Sequence, residues 1–387
     1  MSVTLQRGTM PPFTEEHEEL RASIRSFVER ELTPNVDQWE REKWFPNEVF
    51  HKAAEHGFLG LKFPEEYGGE GGNHLHAAVF CEELSRTGSA GLAVGVCAHV
   101  DLALPPVYTF GTEDQRQRYL VPGIKAEKIG ALAITEPGAG SDVANIQTRA
   151  EKVDGGWIVN GEKVFITNGV RADFYVAAVK TSAEGGHGGM SFLIIDHVEG
   201  NGVSATPLEK LGWHCSDTGA IAFQDVFVPD ENLLGELNGG FKLIMENFQW
   251  ERLVLTMGAI AGAEMGIEVT LDYVKQREAF GKPIGTFQVN RHKLAQMATE
   301  LYAARAQAYD ALRRFVDGEN ATIEVSMVKL FSQRVCLNIA DECVQLHGGA
   351  GYLAGPIERG LRDARLGPIG GGTDEIMREI IGRSLGL

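Results

Sequence analysis

The sequence predicts an α+β multidomain protein. A helical domain over 1–128 comes first, then a middle antiparallel β-barrel or sandwich domain over 129–236, then a helical bundle over 237–387. Three observations predict this order. Apolar residues recur at helical spacing at both ends of the chain, the middle is made of short β-rich runs cut by Gly and Asn turns, and the two kinds of element are segregated. At 387 residues the chain is also longer than one core usually serves.

The helices of the first region have start and stop signals. Thr14 can cap a helix on which Leu20, Ile24, Phe27 and Val28 share a face. Pro46 opens another helix that Gly57 closes, and Thr112 caps a third after Gly111. The most apolar stretch, Ser89 to Tyr108, contains His99, Asp101, Pro105 and Pro106, so it reads as a buried helix rather than a bilayer span. From Ile129 the pattern changes. "WIVNGEKVFITNG", "DFYVAAVKT", "MSFLIID" and "GAIAFQDVFVP" are β-rich runs. "DGGW" (154–157) and "NG" (160–161) are hairpin signals, and "EGGHGGM" (184–190) reads as a flexible loop. After Gly239 long helices return over Phe241–Lys275, Phe287–Val316 and Thr322–Leu346, enough for an antiparallel bundle.

Composition removes several function classes. Hydrophobic residues make up 43% and charged residues 23%, as in an ordinary globular protein. The formal net charge of −17 argues against nucleic acid or an anionic membrane as partner, since both need a basic face. Five cysteines without a CxxC pair fit neither a disulfide framework nor a zinc site, and point to a reducing, cytoplasmic setting. "MSVTLQRGTMPPF" has no apolar core, so neither a secretory signal nor a transit peptide is expected. No GxGxxG follows a strand, so a Rossmann nucleotide site is not supported, and no GxSxG is present.

The chemistry-bearing segments are few. "FQWERLVLTMGAIAGA" (248–263) is apolar except for Glu251 and Arg252. A carboxylate on such a helix is buried and must be paired or carry a raised pKa. It is either a structural Glu–Arg pair or a general base in an apolar pocket. "AITEPGAGSDV" (133–143) joins the helical region to the β-region. Its Gly138 and Gly140 free the backbone, and Thr135, Ser141 and Asp142 supply polar groups; alone it reads equally as a tight turn. "FITNG" (165–169) puts an aromatic and a hydroxyl at a strand end. "QREAFGKPIGTFQ" (276–288) is a Gly/Pro loop between long helices, and "QLHGGAGY" (345–352) a helix end whose glycines equally suit a C-cap. His74 and His76 form an HxH with no third ligand nearby, which reads as a surface loop rather than a metal site. "GGGTDEI" (370–376) leads a terminal helix with three glycines that present bare N–H groups.

Together these segments, in this order, resemble the acyl-CoA dehydrogenase family over nearly the whole chain. The resemblance implies a C-terminal four-helix bundle and FAD bound between the middle and C-terminal domains, completed by a neighbouring subunit. It implies that Leu132, Ile134, Thr135, Phe165 and Thr167 contact the flavin, with Gly140 in the same loop and Ser141 where flavin and CoA arm meet. Arg277, Phe280, Gln288, Gln345 and Gly349 match positions that reach FAD across a subunit contact, and Thr373 and Glu375 match the final motif's flavin contacts. Arg252 matches a residue near the pantetheine arm. Two positions depart from many relatives. Phe165 stands where they have tryptophan, and Gly371 where they carry the catalytic glutamate. A subset resembling the long-chain and isovaleryl enzymes instead places its glutamate in an "ERL" context on the first long helix of the bundle, which here is Glu251.

The implied reaction is α,β-desaturation of an acyl-CoA to the trans-2-enoyl-CoA. Glu251 takes the α-proton, the β-hydrogen leaves as hydride to flavin N5, and the Gly371 N–H with a ribityl hydroxyl holds the thioester carbonyl. Arg252 would lower the pKa of Glu251 and burial would raise it; the sequence leaves the winner open. Gly370 stands where straight-chain enzymes often have tyrosine, which leans toward branched or medium acyl groups, with chain length and branching left open. An electron-transfer flavoprotein as acceptor and a homotetramer are the family's expectations. The rivals are an oxidase on the same fold, which keeps the base, and a non-catalytic assembly protein, which the glycine at 371 suggests and Glu251 opposes.

Overall fold

The structure, a computed structural model, describes residues 10–182 and 188–387. The loop expected over 184–190 lies largely outside the described residues. The N-terminal region is helical: α1 (Glu15–Phe27), α2 (Val36–Glu42), α3 (Glu48–Glu55), α4 (His74–Ser85), α5 (Ala90–Phe110) and a helical run over 113–124. Thr14 and Thr112 stand at N-caps, and Thr112 Oγ1 accepts the Gln115 N–H at 3.2 Å. In α5, 78% of the most apolar window is buried, which accounts for its composition without a bilayer. Its middle, Ala98–Ala103, widens into π-helical turns, a feature that often marks functional ground. His74 and His76 begin α4 rather than lie in a surface loop. Asn73 caps this helix, and His74 packs edge-on against Trp250, with ring centroids 4.6 Å apart.

The middle region is one eight-stranded sheet: β1 (Gly130–Ala133), β2 (Arg149–Val153), β3 (Gly156–Thr167), β4 (Phe174–Lys180), β5 (Met190–Asp196), β6 (Val203–Pro207), β7 (Thr218–Pro229) and β8 (Leu233–Leu234). Its order is β6-β7-β3-β2-β4-β5-β8, with β1 joined to β4. The expected purely antiparallel arrangement needs correction. β1 runs parallel to β4, from Gly130 beside Phe174 to Ala133 beside Ala177, and β2 meets β4 through one parallel pair. β4 is buried on both faces, which is why Phe174–Val179 reads as an unbroken apolar run. Phe174, Val176 and Ala178 join the helical core; Tyr175, Ala177 and Val179 join the sheet's own core. "DGGW" does make the β2–β3 hairpin. "NG" at 160–161 does not turn the chain. β3 runs through it with a bulge opposite β7, where Asn160 exchanges two hydrogen bonds with Asp225 and Gly161 takes a φ of 150°.

The C-terminal region contains α6 (Gly240–Gln276), α7 (Gln288–Val316), α8 (Thr322–His347), α9 (Pro356–Ala364) and α10 (Asp374–Ser384). α6 is the central rod. It packs on α4 and α5 of the first region as well as on α7 and α8, and shares one apolar core with them.

Candidate active site

The site lies where three segments converge on α6. The first is the loop after β1. Glu136 is buried there and accepts the Thr148 N–H at 3.0 Å and the Gln147 N–H at 2.5 Å. It also pairs at 2.8 Å with Lys163, whose ammonium donates to the Ile134 carbonyl at 3.0 Å. This buried pair pins "AITEPGAGSDV" against the end of β3. The second segment is that strand end. The Val164 N–H donates to the Thr135 carbonyl at 2.9 Å, and Phe165 takes a left-handed backbone with φ of 62°. Its ring stays 68% exposed, at the wall of a cavity of about 210 Å³. A bulky residue keeps that backbone and that exposure only where something over-determines it. The third segment is the glycine loop before α10, where Gly371 and Gly372 have φ of 64° and 93°.

Leu132, Ile134, Thr135, Gly140, Ser141, Phe165, Thr167, Glu251, Arg252 and Gly371 all line this one cavity. The sequence placed them together, and the structure brings them together. It adds Ala98 and Leu102 from the widened turns of α5, and Phe248 from α6. Gly370 lines a second, apolar cavity next door. Thr373 is the N-cap of α10, its hydroxyl accepting the Ile376 N–H at 3.3 Å, and Glu375 is exposed and paired with Arg378. Arg277, Phe280, Gln288, Gln345 and Gly349 do not line the cavity. They are exposed at one end of the bundle, where Tyr273 stacks on His347 with ring centroids 4.2 Å apart.

Glu251 is deep in the protein and partly open to the cavity. It makes no hydrogen bond or ion pair among the described residues. Burial pushes its pKa up to about 7, against the opposing fields of Arg252 and Lys329. The contest left open by the sequence is therefore won by desolvation. Arg252 is not a partner to Glu251; its Nε donates to the Gly371 carbonyl at 3.2 Å. Lys329, fully buried on α8, donates to the Gly372 carbonyl at 2.5 Å. Sequence reasoning missed Lys329. Its signal was a lone charge in "VSMVKLFS" (325–332).

With both carbonyls tied down, the Gly371 N–H is given to no acceptor among the described residues. A Cβ at Gly371 would stand 3.8 Å from Glu251 Oε1, so a carboxylate from either position addresses the same point. It would also meet Leu255 Cδ1 at 2.6 Å, so in this chain the space is filled from α6. The arrangement offers an unpaired base titrating near neutrality, an unused N–H donor beside it, and an apolar wall carrying an exposed aromatic.

Comparison with known proteins matches this layout in three consecutive parts. The acyl-CoA dehydrogenase N-terminal domain matches residues 14–127, the middle domain 131–226 and the C-terminal domain 238–386. The chain belongs to the acyl-CoA dehydrogenase family. Among its relatives is the mouse mitochondrial long-chain specific acyl-CoA dehydrogenase, 38% identical over 96% of this chain and 87% of that one. Potato mitochondrial isovaleryl-CoA dehydrogenase is also 38% identical, over 96% and 91%. The solved acyl-CoA dehydrogenase of Geobacillus kaustophilus superposes with a TM-score of 0.95 at 40% identity, covering 98% of this chain and all of that one. An FAD complex of PigA (TM-score 0.91, 30% identity) and a chain described as electron transferring flavoprotein of Acidaminococcus fermentans (0.93, 35%) share the fold. This acyl-CoA dehydrogenase family member is a flavoprotein oxidoreductase, and its cofactor is FAD. The residues present fit that cofactor. The exposed Phe165 ring with Leu132 and Ile134 makes an apolar wall for a planar ring system, and Thr135, Ser141 and Thr167 bring hydroxyls to the same cavity.

Proposed function

We propose that this chain desaturates an acyl-CoA thioester between its α and β carbons, with Glu251 as the base. The observation that carries the assignment is an unpaired carboxylate in the cofactor cavity, pushed up to about 7 by burial. Such a group is ionised enough near neutral pH to accept a proton and basic enough to take one from carbon. The Gly371 N–H binds the thioester oxygen and stabilises the charge that develops there as the α-proton leaves. Arg252 and Lys329 orient that N–H by holding the two glycine carbonyls. The apolar walls exclude water from Glu251, which keeps its pKa high. FAD, when bound, supplies the acceptor for the β-hydrogen and its electron pair. The product is the trans-2-enoyl-CoA.

Wider roles follow the same reading. Leu132, Ile134, Thr135, Gly140, Phe165 and Thr167 hold the flavin, and Ser141 and Arg252 face the CoA arm. Thr373 and Glu375 close the cofactor site from the start of α10. Arg277, Phe280, Gln288, Gln345 and Gly349 serve the cofactor of a neighbouring subunit in a homotetramer. Their support is exposure, above all the Phe280 ring, 96% exposed on a left-handed backbone with φ of 53°. An electron-transfer flavoprotein takes the electrons. The setting is the cytoplasm, in support of which all five cysteines are free and buried. The test is anaerobic titration with acyl-CoA while flavin absorbance is followed. Glu251→Gln should retain FAD and slow bleaching by about 10²–10⁴-fold. Bleaching at the parent rate would overturn the base assignment.

A further inference from the structure

We infer that the enzyme takes straight-chain acyl groups of about ten to fourteen carbons, and that Gly262 and Gly266 on α6 set the upper limit. The inference rests on the desaturation reading above. A second cavity lies beside the catalytic one, lined by sequence neighbours of the residues that line the first. Gly370 lines the second and Gly371 the first, and Leu255, one turn after Glu251, lines the second with its Cδ1 2.6 Å from where a Gly371 Cβ would stand. From there the second cavity runs along α6 past Gly258 and Gly262 to Gly266. The facing wall comes from α8 through Cys336, Ile339 and Cys343. The lining is almost wholly apolar, which suits a hydrocarbon and nothing charged.

The glycines give the second observation. Glycine inside a helix is unfavourable relative to alanine and needs a reason. At Gly258 the protein supplies one, since a Cβ would come within 3.0 Å of Ser85 Oγ. At Gly262 it supplies none: among the described residues no side chain or neighbouring element comes within 4 Å of where a Cβ would stand. At Gly266 the one neighbour is Cys343 Sγ at 3.7 Å, an ordinary contact. The backbone is bare at both positions although no atom of the described residues requires it, and both line the second cavity.

Length follows from helix geometry. Leu255 to Gly266 spans about 16 Å of axis at 1.5 Å per residue. A carbon zigzag advances about 1.3 Å per atom, so that path accepts roughly a dozen methylenes. A short or β-branched acyl group would occupy only the mouth beside Gly370 and leave the channel unfilled. This moves the reading away from the branched groups that Gly370 alone suggested. The relatives do not decide the matter, since long-chain and isovaleryl enzymes match equally well.

The experiment measures kcat/KM of the FAD-loaded enzyme for straight acyl-CoAs from butanoyl to octadecanoyl, and for isovaleryl-CoA, with an artificial electron acceptor. The parent should gain up to about fourfold per added methylene until the channel is full. Gly266→Leu should lower the longest accepted chain, and Gly262→Leu should lower it by about four further carbons, one helical turn. Calorimetric binding of non-oxidisable thioether analogues should show the same two cut-offs. A parent that prefers butanoyl- or isovaleryl-CoA overturns the inference alone. So do variants that slow all lengths equally, or that change the oligomeric state instead. If no acyl-CoA of any length reduces the flavin, the desaturation reading fails and the inference with it.

Discussion

Glu251 has two cations close enough to act on it, and neither binds it. Arg252 and Lys329 both turn to carbonyls of the glycine loop instead. The base is thus left to desolvation, and its pKa of about 7 lies well above an ordinary glutamate. The kcat/KM profile should therefore rise with pH through about 7, a limb absent in Glu251→Gln. Stability carries the opposite sign. Between the ordinary glutamate value and about 7 the folded state binds more protons than the unfolded one, so Glu251 favours folding fully only at the acid end. That contribution is lost as pH rises through about 7. Glu251→Gln should then gain on the parent in urea unfolding across this window, by about 3 kcal/mol at most, and no further above it. Gly371→Ala should cost about 1–2 kcal/mol for the left-handed backbone, and lower turnover besides, since its Cβ would strike Leu255. Glu251 was legible because a lone charged pair in an apolar run must be explained. Its pKa was not, because the sequence cannot say where the Arg252 side chain turns. Lys329 was equally illegible: the carbonyl that needs it is in the loop before α10, far away in sequence.

At the scale of elements, α6 is held in register by the residue before the base. Trp250 Nε1 donates to Asp101 Oδ1 at 3.0 Å. The same oxygen accepts from Lys62, whose ammonium lies 4.9 Å from the Trp250 ring centre. All three are buried, and the carboxylate comes from the widened turns of α5. Asp101→Ala would leave Lys62 without its counter-charge and should destabilise by about 3–5 kcal/mol in denaturant unfolding. Trp250→Phe keeps the ion pair and should cost about 1 kcal/mol while slowing turnover through a looser helix. The three long helices were legible because their apolar period persists over many turns. The parallel β1–β4 pair was not, since a four-residue strand has no signal for which neighbour it joins. "NG" at 160–161 misled because a bulge and a hairpin turn ask for the same residues.

At the scale of the whole molecule, one end of the bundle exposes large apolar side chains. Phe280 is 96% exposed, Tyr352 87% and Leu353 68%, all within or beside the two motifs that do not reach the cavity. Sedimentation equilibrium should find a tetramer. Phe280→Ser should weaken FAD retention by about 10–100-fold, the worth of one buried aromatic, with unfolding of the separated subunit unchanged. Their role rests on resemblance and exposure, because a single chain places them against solvent. α6 is one continuous helix from Gly240 to Gln276. It carries the anchor at Trp250, the base at Glu251 and the bare wall at Gly262 and Gly266. A substrate is then gauged against a ruler whose zero mark is the base itself. Carbons are counted outward from the bond to be oxidised, not inward from the CoA end. Lengthening the ruler by mutation need not move its zero, so selectivity for chain length can drift while the chemistry stays fixed.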